Sequence, residues 1–340
     1  MRSIICRLPI VCALLAAAAC GNAEPARDSA PNKSDSPESV KVGYVVSTIF
    51  APLFIADAKG YFKDNGIDIQ LEAVKSGQDA VPLTANGTLD VLVAGFSSGM
   101  FSAMEAGLEV KVVGSMGVSA GDDEKPVAAL IGSKALHDAG EVTGIADLKG
   151  KRIAANGGEG GAGAYLVDVE LQKEGLSITD VELINLPGPD MPAALKNGSI
   201  DAAYNNPPFT TMMVEDEIGV VLGTPLAGTS ATGVLFGEQF VQKEELAQRF
   251  FDALAKGAQD LQNGAGLKDE NAQILATATD QEVERVKSLP LYTWKPDLAP
   301  LVDQLTAMQE TWINVGALEY DTPLAPEKYV ISKFSENAQR

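Results

Sequence analysis

Apolar and polar positions in this chain follow two periods, one typical of strands and one typical of helices. The apolar run from Val40 to Val46 predicts a strand, and the alternation from Ile67 to Val74 predicts a second one. The segment between them has a helical pattern that stops at Asn65-Gly66, a common helix end. A short helix through Asn86-Gly87 and a strand over residues 89–95 complete a β-α-β-α-β unit. This order predicts a parallel sheet with right-handed crossovers.

The same order of elements returns later in the chain. Residues 151–156 predict a strand, followed by a helix that ends at Gly175, a strand, a short helix, and a strand over 200–204. Four residues of the first unit match four of the second at a constant offset of 111: Gly77, Asp79, Gly87 and Asp90 against Gly188, Asp190, Gly198 and Asp201. Chance similarity of two such units is the alternative, and the shared offset favours a repeat.

The matched residues have structural explanations. Asp79 and Asp190 are expected to cap helices whose first turns hold Pro82 and Pro192. Gly87 and Gly198 are expected to adopt the left-handed conformation that ends those helices. We assign these residues no chemistry.

Beyond residue 235 the pattern is mostly helical. Two stripes at helical spacing predict core-facing helix surfaces: Leu246, Phe250, Leu254, Ala258 and Leu261 in the first, and Leu298, Leu301, Leu305, Met308 and Trp312 in the second. Stripes of this kind are far more often core packing than cofactor contacts.

The first twenty residues differ from the rest. Arg2 and Arg7 precede an apolar run of twelve residues from Leu8 to Ala19, which is typical of an export signal and is shorter than the ~20 residues that span a bilayer. A buried N-terminal helix of a cytosolic protein is the alternative. Ala17-Ala18-Ala19 followed by Cys20 resembles the lipobox of bacterial lipoproteins, except that Ala17 replaces the usual Leu. The resemblance implies cleavage before Cys20 and its acylation.

Residues 21–39 contain Ala, Ser, Pro and charges without an apolar period. Such a composition predicts a flexible tether. A tether after a lipidated cysteine would hold an exported domain next to a membrane.

Composition excludes several classes of function. The formal net charge is −20, which disfavours nucleic acid as a partner because phosphate backbones need clustered positive charge. The cysteines are Cys6, Cys12 and Cys20, and His137, expected on the surface or in a turn, is the sole histidine. A His/Cys metal site, a Cys–His pair and a catalytic triad are therefore not expected, and we predict a protein that is not an enzyme and has no cofactor or metal.

Several tracts together resemble a known family. These are GYVVSTIFAPLFIADAKGYFKDNGIDIQL, GQDAVPLTANGTLDVLVAG, DLKGKRIAANGGEGGAGAYL and ALKNGSIDAAYNNPPF. Their order is similar to that of the periplasmic binding proteins for sulfonates, nitrate and thiamine-precursor pyrimidines, over residues ~40 to 325.

The resemblance implies a two-lobe α/β fold, the type II periplasmic binding fold. Each lobe would be a mostly parallel sheet flanked by helices, with two crossing segments between the lobes. The first lobe is expected over 40–127 plus 232–340 and the second over 128–231. The implied function is extracytoplasmic capture of a small solute and delivery to the permease subunits of an ABC importer, by a monomer anchored through Cys20. Alternatives are a lipoprotein that senses a ligand without transport, and an enzyme similar to the fungal thiamine-pyrimidine synthases.

Ligands of open parallel sheets sit at the carboxyl ends of the strands. The loops at those ends supply the candidate ligand-binding residues, which are Ser47, Thr48, Phe50, Ser76, Gln78, Phe96, Ser97, Ser98, Asn156, Gly158, Glu159, Tyr204, Asn205, Asn206 and Thr229. The alternative is that Ser, Asn and Gly are simply common in loops.

Two ligand classes remain open. A sulfonate-like anion could sit on helix N-termini, and a planar heterocycle could stack on Phe50, Phe96 or Tyr204. Lys75 is the one cation in these loops and Glu159 would repel an anion, which favours an uncharged or mixed-polarity organic molecule. The glycine run from residue 157 lacks the Lys-Ser/Thr ending of a P-loop, and we interpret it as a loop for a small solute.

Overall fold

The structure, a computed structural model, describes residues 36–264, 268–290 and 292–338. The predictions for the export signal, for Cys20 and for most of the tether fall outside these residues. Within them, no helix combines the length and the apolar character that crossing a bilayer requires.

Ten strands form two sheets in the described part of the chain. The strands are β1 (Glu38–Tyr44), β2 (Ile67–Ala73), β3 (Val91–Gly95), β4 (Val110–Ser115), β5 (Ala129–Ser133), β6 (Arg152–Ala155), β7 (Glu182–Asn185), β8 (Ala202–Asn205), β9 (Gly219–Gly223) and β10 (Thr232–Gly237). The first sheet has the order β2-β1-β3-β10-β4, and the second has the order β7-β6-β8-β5-β9.

In each sheet four of the five strands run in the same direction. In the first sheet β1 pairs parallel with β2 and β3, whereas β10 runs antiparallel to β3 and β4. In the second sheet β6 pairs parallel with β7 and β8, whereas β5 runs antiparallel to β8 and β9. In each sheet the antiparallel strand is the one by which the chain enters it from the other sheet.

The internal repeat is confirmed by strand register. Val42 pairs with Val91 in the first sheet, and Ile153 pairs with Ala202 in the second, so both partners are displaced by the same 111 positions.

Helices cover both sheets. They are α1 (Ala51–Ala58), α2 (Tyr61–Asp64), α3 (Gly77–Ala85), α4 (Ser98–Glu105), α5 (Lys134–Asp138), α6 (Ala162–Gln172), α7 (Met191–Asn197), α8 (Phe209–Glu215), α9 (Glu238–Val241), α10 (Glu244–Gln259), α11 (Asp269–Thr279), α12 (Val283–Ser288), α13 (Val302–Asn314) and α14 (Lys333–Ala338).

The predicted apolar faces are buried, with one correction. All five residues of the first stripe are buried around α10. In the second stripe, Leu305, Met308 and Trp312 are buried on α13, but Leu298 and Leu301 precede that helix. Pro300 disfavours a helical conformation at Ala299, which keeps Leu298 outside the helix, and Leu301 occupies the N-cap position.

The predicted helix caps are partly wrong. Ser76 caps α3 by accepting a hydrogen bond from the backbone nitrogen of Asp79, and Pro82 lies inside the helix. Asp190 occupies the N-cap position of α7 without a side-chain hydrogen bond to its backbone. The left-handed conformations of Gly87 (φ 78°) and Gly198 (φ 75°) are confirmed.

Two other boundaries differ from the sequence-based expectation. The predicted helix after β1 is two helices, because Gly60 has a φ of 76° and interrupts it between α1 and α2. Strand β1 begins at Glu38, so Glu38 and Ser39 belong to the sheet and not to the tether. His137 lies at the surface, one of the two places expected for it, on the short helix α5 with a side chain 41% exposed.

Two segments connect the sheets. The first crossing segment comprises residues 116–128, and the return segment comprises residues 224–231. They pair with each other through the backbone, since Ser119 N donates to Thr229 O (2.8 Å) and Gly228 N donates to Ser119 O (2.8 Å). The predicted boundaries of the two lobes stay a prediction.

Candidate functional site

A cavity of about 330 Å³ lies where loops from both sheets meet the two crossing segments. The residues around it share an uncharged character: Val45, Ser47, Ile49, Phe50, Gly117, Ser119, Val127, Ala128, Asn156, Ala162, Gly163, Leu166, Tyr204, Asn205, Asn206, Pro225, Thr229, Ser230, Ala231, Thr232 and Tyr292. Its volume is typical of sites for small molecules.

The first sheet contributes the loop after β1. Ser47 caps a short 3₁₀ turn by accepting a hydrogen bond from Ile49 N (3.3 Å), and this turn places the buried ring of Phe50 at the cavity. Ile49 O accepts a hydrogen bond from Trp294 Nε1 (2.9 Å). The loop is therefore fixed to the segment that carries Tyr292.

The second sheet contributes the ends of β6 and β8. Asn156 directly follows β6, and Tyr204 and Asn205 end β8. The side chain of Asn205 is occupied within its own lobe, because Nδ2 donates to Gly188 O (2.9 Å) and Oδ1 accepts from Asn206 N (2.9 Å). Asn205 thus holds the loop that presents the exposed side chain of Asn206.

The crossing segments form a third wall. Ser119 Oγ donates to Pro225 O (3.0 Å), and Ser230 Oγ donates to Gly117 O (2.8 Å). Both serines are buried, so their hydroxyls brace the two segments against each other at the cavity wall.

Two tyrosines give the cavity its hydrogen-bonding character. Burial raises the pKa of Tyr204 well above its usual value, and the nearby Tyr292 hydroxyl and Glu170 carboxylate raise it further. Burial likewise raises the pKa of Tyr292. Both phenols are therefore neutral at physiological pH and can donate a hydrogen bond to a ligand.

Helix α6 begins at the cavity. Its first residues, Ala162 and Gly163, line the wall, and the first N–H groups of a helix have no acceptor within it. This end of α6 carries the positive end of the helix dipole. This end of the helix favours a negatively charged ligand atom.

The structure brings part of the predicted site together. Ser47, Phe50, Asn156, Tyr204, Asn205, Asn206 and Thr229 line the cavity. Thr48, Ser76, Gln78, Phe96, Ser97, Ser98, Gly158 and Glu159 do not belong to its lining.

The residues outside the lining have other roles. Phe96 is buried in the core, where its ring lies 6.4 Å from that of Phe101. The hydroxyls of Ser76 and Ser97 cap α3 and α4. Glu159 is exposed on the glycine loop, so the sequence argument that it would repel an anion in the site does not apply.

The glycine loop meets the first sheet directly. Ser97 forms an isolated bridge with Gly161, and a Cβ on Gly160 would lie 2.7 Å from Ser98 Oγ. Ser97, Ser98 and the glycine loop therefore lie next to each other, as predicted. They contact each other beside the cavity and do not line it.

Sequence reasoning missed Tyr292, Ser119 and the start of α6. Ser230 belongs to a loop that the sequence did indicate. Tyr292 carries no comparable signal, because it lies in a segment between helices that only the tertiary structure brings to the ends of the strands. Within the described residues, no group of three or more His, Cys, Asp or Glu side chains is placed to hold a metal ion.

Comparison with known proteins identifies the family. The model of the NMT1-like family matches residues 33–278, more than two thirds of the chain. The chain belongs to the NMT1-like family.

Two curated relatives of this chain have names that refer to different compounds. One is riboflavin-binding protein RibY of Chloroflexus aurantiacus, 25% identical over 70% of this chain and 66% of its own length. The other is a protein of Haemophilus influenzae named for thiamine biosynthesis, 26% identical over 54% of each chain. The chain thus spans between half and two thirds of the length of these relatives.

Solved structures confirm the fold of this NMT1-like protein. The alkanesulfonate-binding protein SsuA of Xanthomonas axonopodis pv. citri, bound to MOPS, has a TM-score of 0.61 at 20% identity, covering 87% of this chain and 99% of that one. The nitrate-binding protein NrtA of Synechocystis has a TM-score of 0.67 at 16% identity, covering 89% and 88%. The predicted two-lobe α/β fold of periplasmic binding proteins is confirmed.

The fold neighbours also include an enzyme. The desulfurization enzyme DSZB has a TM-score of 0.58 at 16% identity, covering 88% of this chain and 99% of that one. At these identities a neighbour establishes the fold alone.

Proposed function

We propose that this NMT1-like protein is an extracytoplasmic solute-binding protein that captures a small organic molecule with a planar ring and delivers it to the permease subunits of an ABC importer. The observation that carries the proposal is the lining of the cavity. It combines the aromatic rings of Phe50, Tyr204 and Tyr292 with amides and hydroxyls, and no charged side chain belongs to it among the described residues.

A planar ring fits this lining for physical reasons. Aromatic side chains stack on or against flat rings, and neutral donors and acceptors can satisfy the polar edge of a heterocycle without a charge to compensate. The names of the two curated relatives refer to riboflavin and thiamine, which both contain nitrogen heterocycles. These names support the proposed ligand class without fixing the compound.

A small anion is the second candidate ligand. The N-terminus of α6 at Ala162 and Gly163 could hold a sulfonate or carboxylate through its N–H groups. The absence of Lys and Arg from the described lining favours the planar ring, since the helix end would have to balance a full charge alone.

The role in transport extends the proposal beyond the cavity. Anchoring through Cys20 would keep the protein beside its importer, on the outer side of a bacterial membrane. A catalytic role, as in DSZB, is not favoured by a lining without His, Cys, Asp or Glu among the described residues. A sensor that binds the same ligand but does not feed an importer remains the alternative role.

Native mass spectrometry of freshly purified protein tests the ligand class directly. We expect a co-purified heterocyclic compound that is released unchanged. Titration calorimetry on protein stripped by unfolding and refolding would then compare riboflavin, a pyrimidine and an alkanesulfonate. Binding of the sulfonate alone would favour the anion, and conversion of a bound compound into a new one would contradict the binding-protein assignment.

A further inference from the structure

Helix α13 packs against both lobes. Leu305, Met308 and Trp312 belong to a buried cluster with residues of the first sheet, and the rings of Trp312 and Phe101 are 5.6 Å apart. The same cluster contains Ala164 and Tyr165 of α6, a helix packed on the second sheet. The apolar core beside the cavity is therefore continuous between the lobes.

Hydrogen bonds reinforce the contact between α13 and α6. Thr311 Oγ1 donates to Asp168 Oδ2 (2.8 Å), and Trp312 Nε1 donates to Gly161 O (3.0 Å). Tyr165 Oη donates to Gln304 Oε1 over a longer distance of 3.4 Å. These contacts run from the N-cap of α6 along its first two turns.

Asp168 makes the bond to Thr311 energetically important. Its side chain accepts two further hydrogen bonds, from Ile178 N (2.8 Å) and Gln172 Nε2 (3.0 Å), and the residue is only 3% exposed. A buried carboxylate that loses one of its donors is left partly unsatisfied, which is costlier than losing a bond at the surface.

Gln304 links helix α13 to the return segment. Its Oε1 accepts from Ser230 N (2.8 Å), and its Nε2 donates to Gly228 O (2.8 Å). Ser230 and the intervening Thr229 line the cavity. One side chain of α13 therefore fixes the cavity wall formed by the return segment, while Thr311 fixes the helix whose first residues form another wall.

We infer that Thr311 and Gln304 are positioning residues that hold the two lobes together around the cavity through contacts made by the protein alone. Neither residue belongs to the cavity lining, so both act through α6 and the return segment. The inference concerns the arrangement of the lobes and stands whatever the cavity binds. Only its importance for affinity rests on the proposed function.

Distance measurements on ligand-free protein test this inference. Nitroxide labels at Lys63→Cys in the first lobe and Lys196→Cys in the second, in the full chain with Cys6, Cys12 and Cys20 replaced by Ala, allow double electron–electron resonance. Both lysines are exposed. We expect one narrow distance distribution for the parent protein.

Thr311→Val and Gln304→Ala should each add a longer-distance population. For Thr311→Val the ratio of closed to open molecules should fall about tenfold, because one donor to a buried carboxylate is lost. Thr311→Ser restores the hydroxyl and should restore the parent distribution. Thr277→Val is the matched control, since the Thr277 hydroxyl donates to Gln273 O within α11 and is exposed.

The inference is overturned if the ligand-free parent protein already shows a broad or long distribution. It is equally overturned if both variants retain the parent distribution while circular dichroism shows that they are folded. Should Thr311→Val fail to fold, Gln304→Ala decides alone, because Gln304 bonds to the return segment and to Tyr165 and its loss leaves the Asp168 carboxylate satisfied.

Discussion

The carboxylate of Asp201 accepts hydrogen bonds from the backbone nitrogen of Arg152 (2.8 Å), from its Nε (3.1 Å) and from its Nη2 (2.8 Å). In the first lobe Asp90 accepts from the backbone nitrogen of Lys41 (2.9 Å) at the position 111 residues earlier. Asp201 directly precedes β8 and joins it to the start of β6, whereas Asp90 directly precedes β3 and joins it to the middle of β1. The repeat has thus kept one backbone contact in both lobes. The ion-pair partner differs: the Arg152 guanidinium lies 2.8 Å from Asp201 in the second lobe, whereas Lys243 Nζ lies 3.7 Å from Asp90 in the first.

Asp201→Asn should destabilise the protein more than Asp90→Asn. An asparagine can still accept from the backbone nitrogen, but the charge-assisted bonds from the guanidinium are lost. Since the Arg152 side chain is 37% exposed, we expect a loss of about 1–2 kcal/mol for Asp201→Asn and under about 1 kcal/mol for Asp90→Asn in urea unfolding. Equal losses would show that the ion pair adds nothing beyond the backbone contact.

The contribution of Asp201 should depend on pH. Burial raises the pKa of this carboxyl, but the hydrogen bonds and charge of Arg152 outweigh burial and hold it below the usual 3.8. Because this pKa is lower in the folded than in the unfolded state, the ionised carboxyl stabilises the fold fully at pH values above the unfolded-state pKa of 3.8. That stabilisation is lost as the pH falls through the folded-state pKa. The difference in unfolding free energy between the parent and Asp201→Asn should therefore be constant from pH 7 to about 5 and shrink below about 4. A difference that grows in acid would contradict the assignment.

Tyr204→Phe and Asn206→Ala should weaken ligand binding while leaving the fold intact. The first removes a neutral donor from the cavity, and the second removes an exposed amide at its edge. We expect losses of about 0.5–1.5 kcal/mol for each neutral hydrogen bond, measured by calorimetry with the compound identified by native mass spectrometry. Asn197→Ala, at the end of α7 and outside the lining, is the control. Unchanged affinity in both variants would remove the second lobe from the binding site.

Gly117→Ala should narrow the cavity. A Cβ at this position would lie 2.6 Å from Ile49 Cγ1 and 2.9 Å from Tyr292 Cβ, so the wall that carries Tyr292 must shift. We expect a destabilisation of about 1–3 kcal/mol together with weaker ligand binding, measured by thermal unfolding and calorimetry. Gly95→Ala should have little effect, because its nearest neighbour would be Ala231 O at 3.7 Å. Normal binding by Gly117→Ala would mean that Tyr292 does not shape the site.

Gly257→Ala should destabilise the first lobe without touching the cavity. The new Cβ would lie 2.2 Å from the backbone oxygen of Pro52, where α10 crosses α1. Backbone cannot yield as a flexible side chain does, so we expect a loss of about 1–3 kcal/mol. Gly144→Ala is the matched control, since among the described residues no atom beyond its chain neighbours lies within 4 Å of the added Cβ. Equal melting temperatures for the two variants would contradict close packing of α1 and α10.

The core was predictable from residue spacing, whereas the site was predictable only in part. Leu246, Phe250 and Leu254 recur at the period of a helix, and that period alone requires them to share a buried face. Phe96 shows the limit of the argument from strand ends. It follows β3 as predicted, yet its ring faces the core, because the direction of a side chain depends on the local backbone as well as on the position of its residue.

The sequence by itself determined the repeated strand-helix units, their parallel pairing and the glycines that end their short helices, because these depend on local periodicity and local backbone conformation. The tertiary structure decided which loop tips share one cavity. It brought Tyr292 to the strand ends, and it placed α13 against α6. Such contacts join residues more than a hundred positions apart, and no local pattern records where two distant segments will meet.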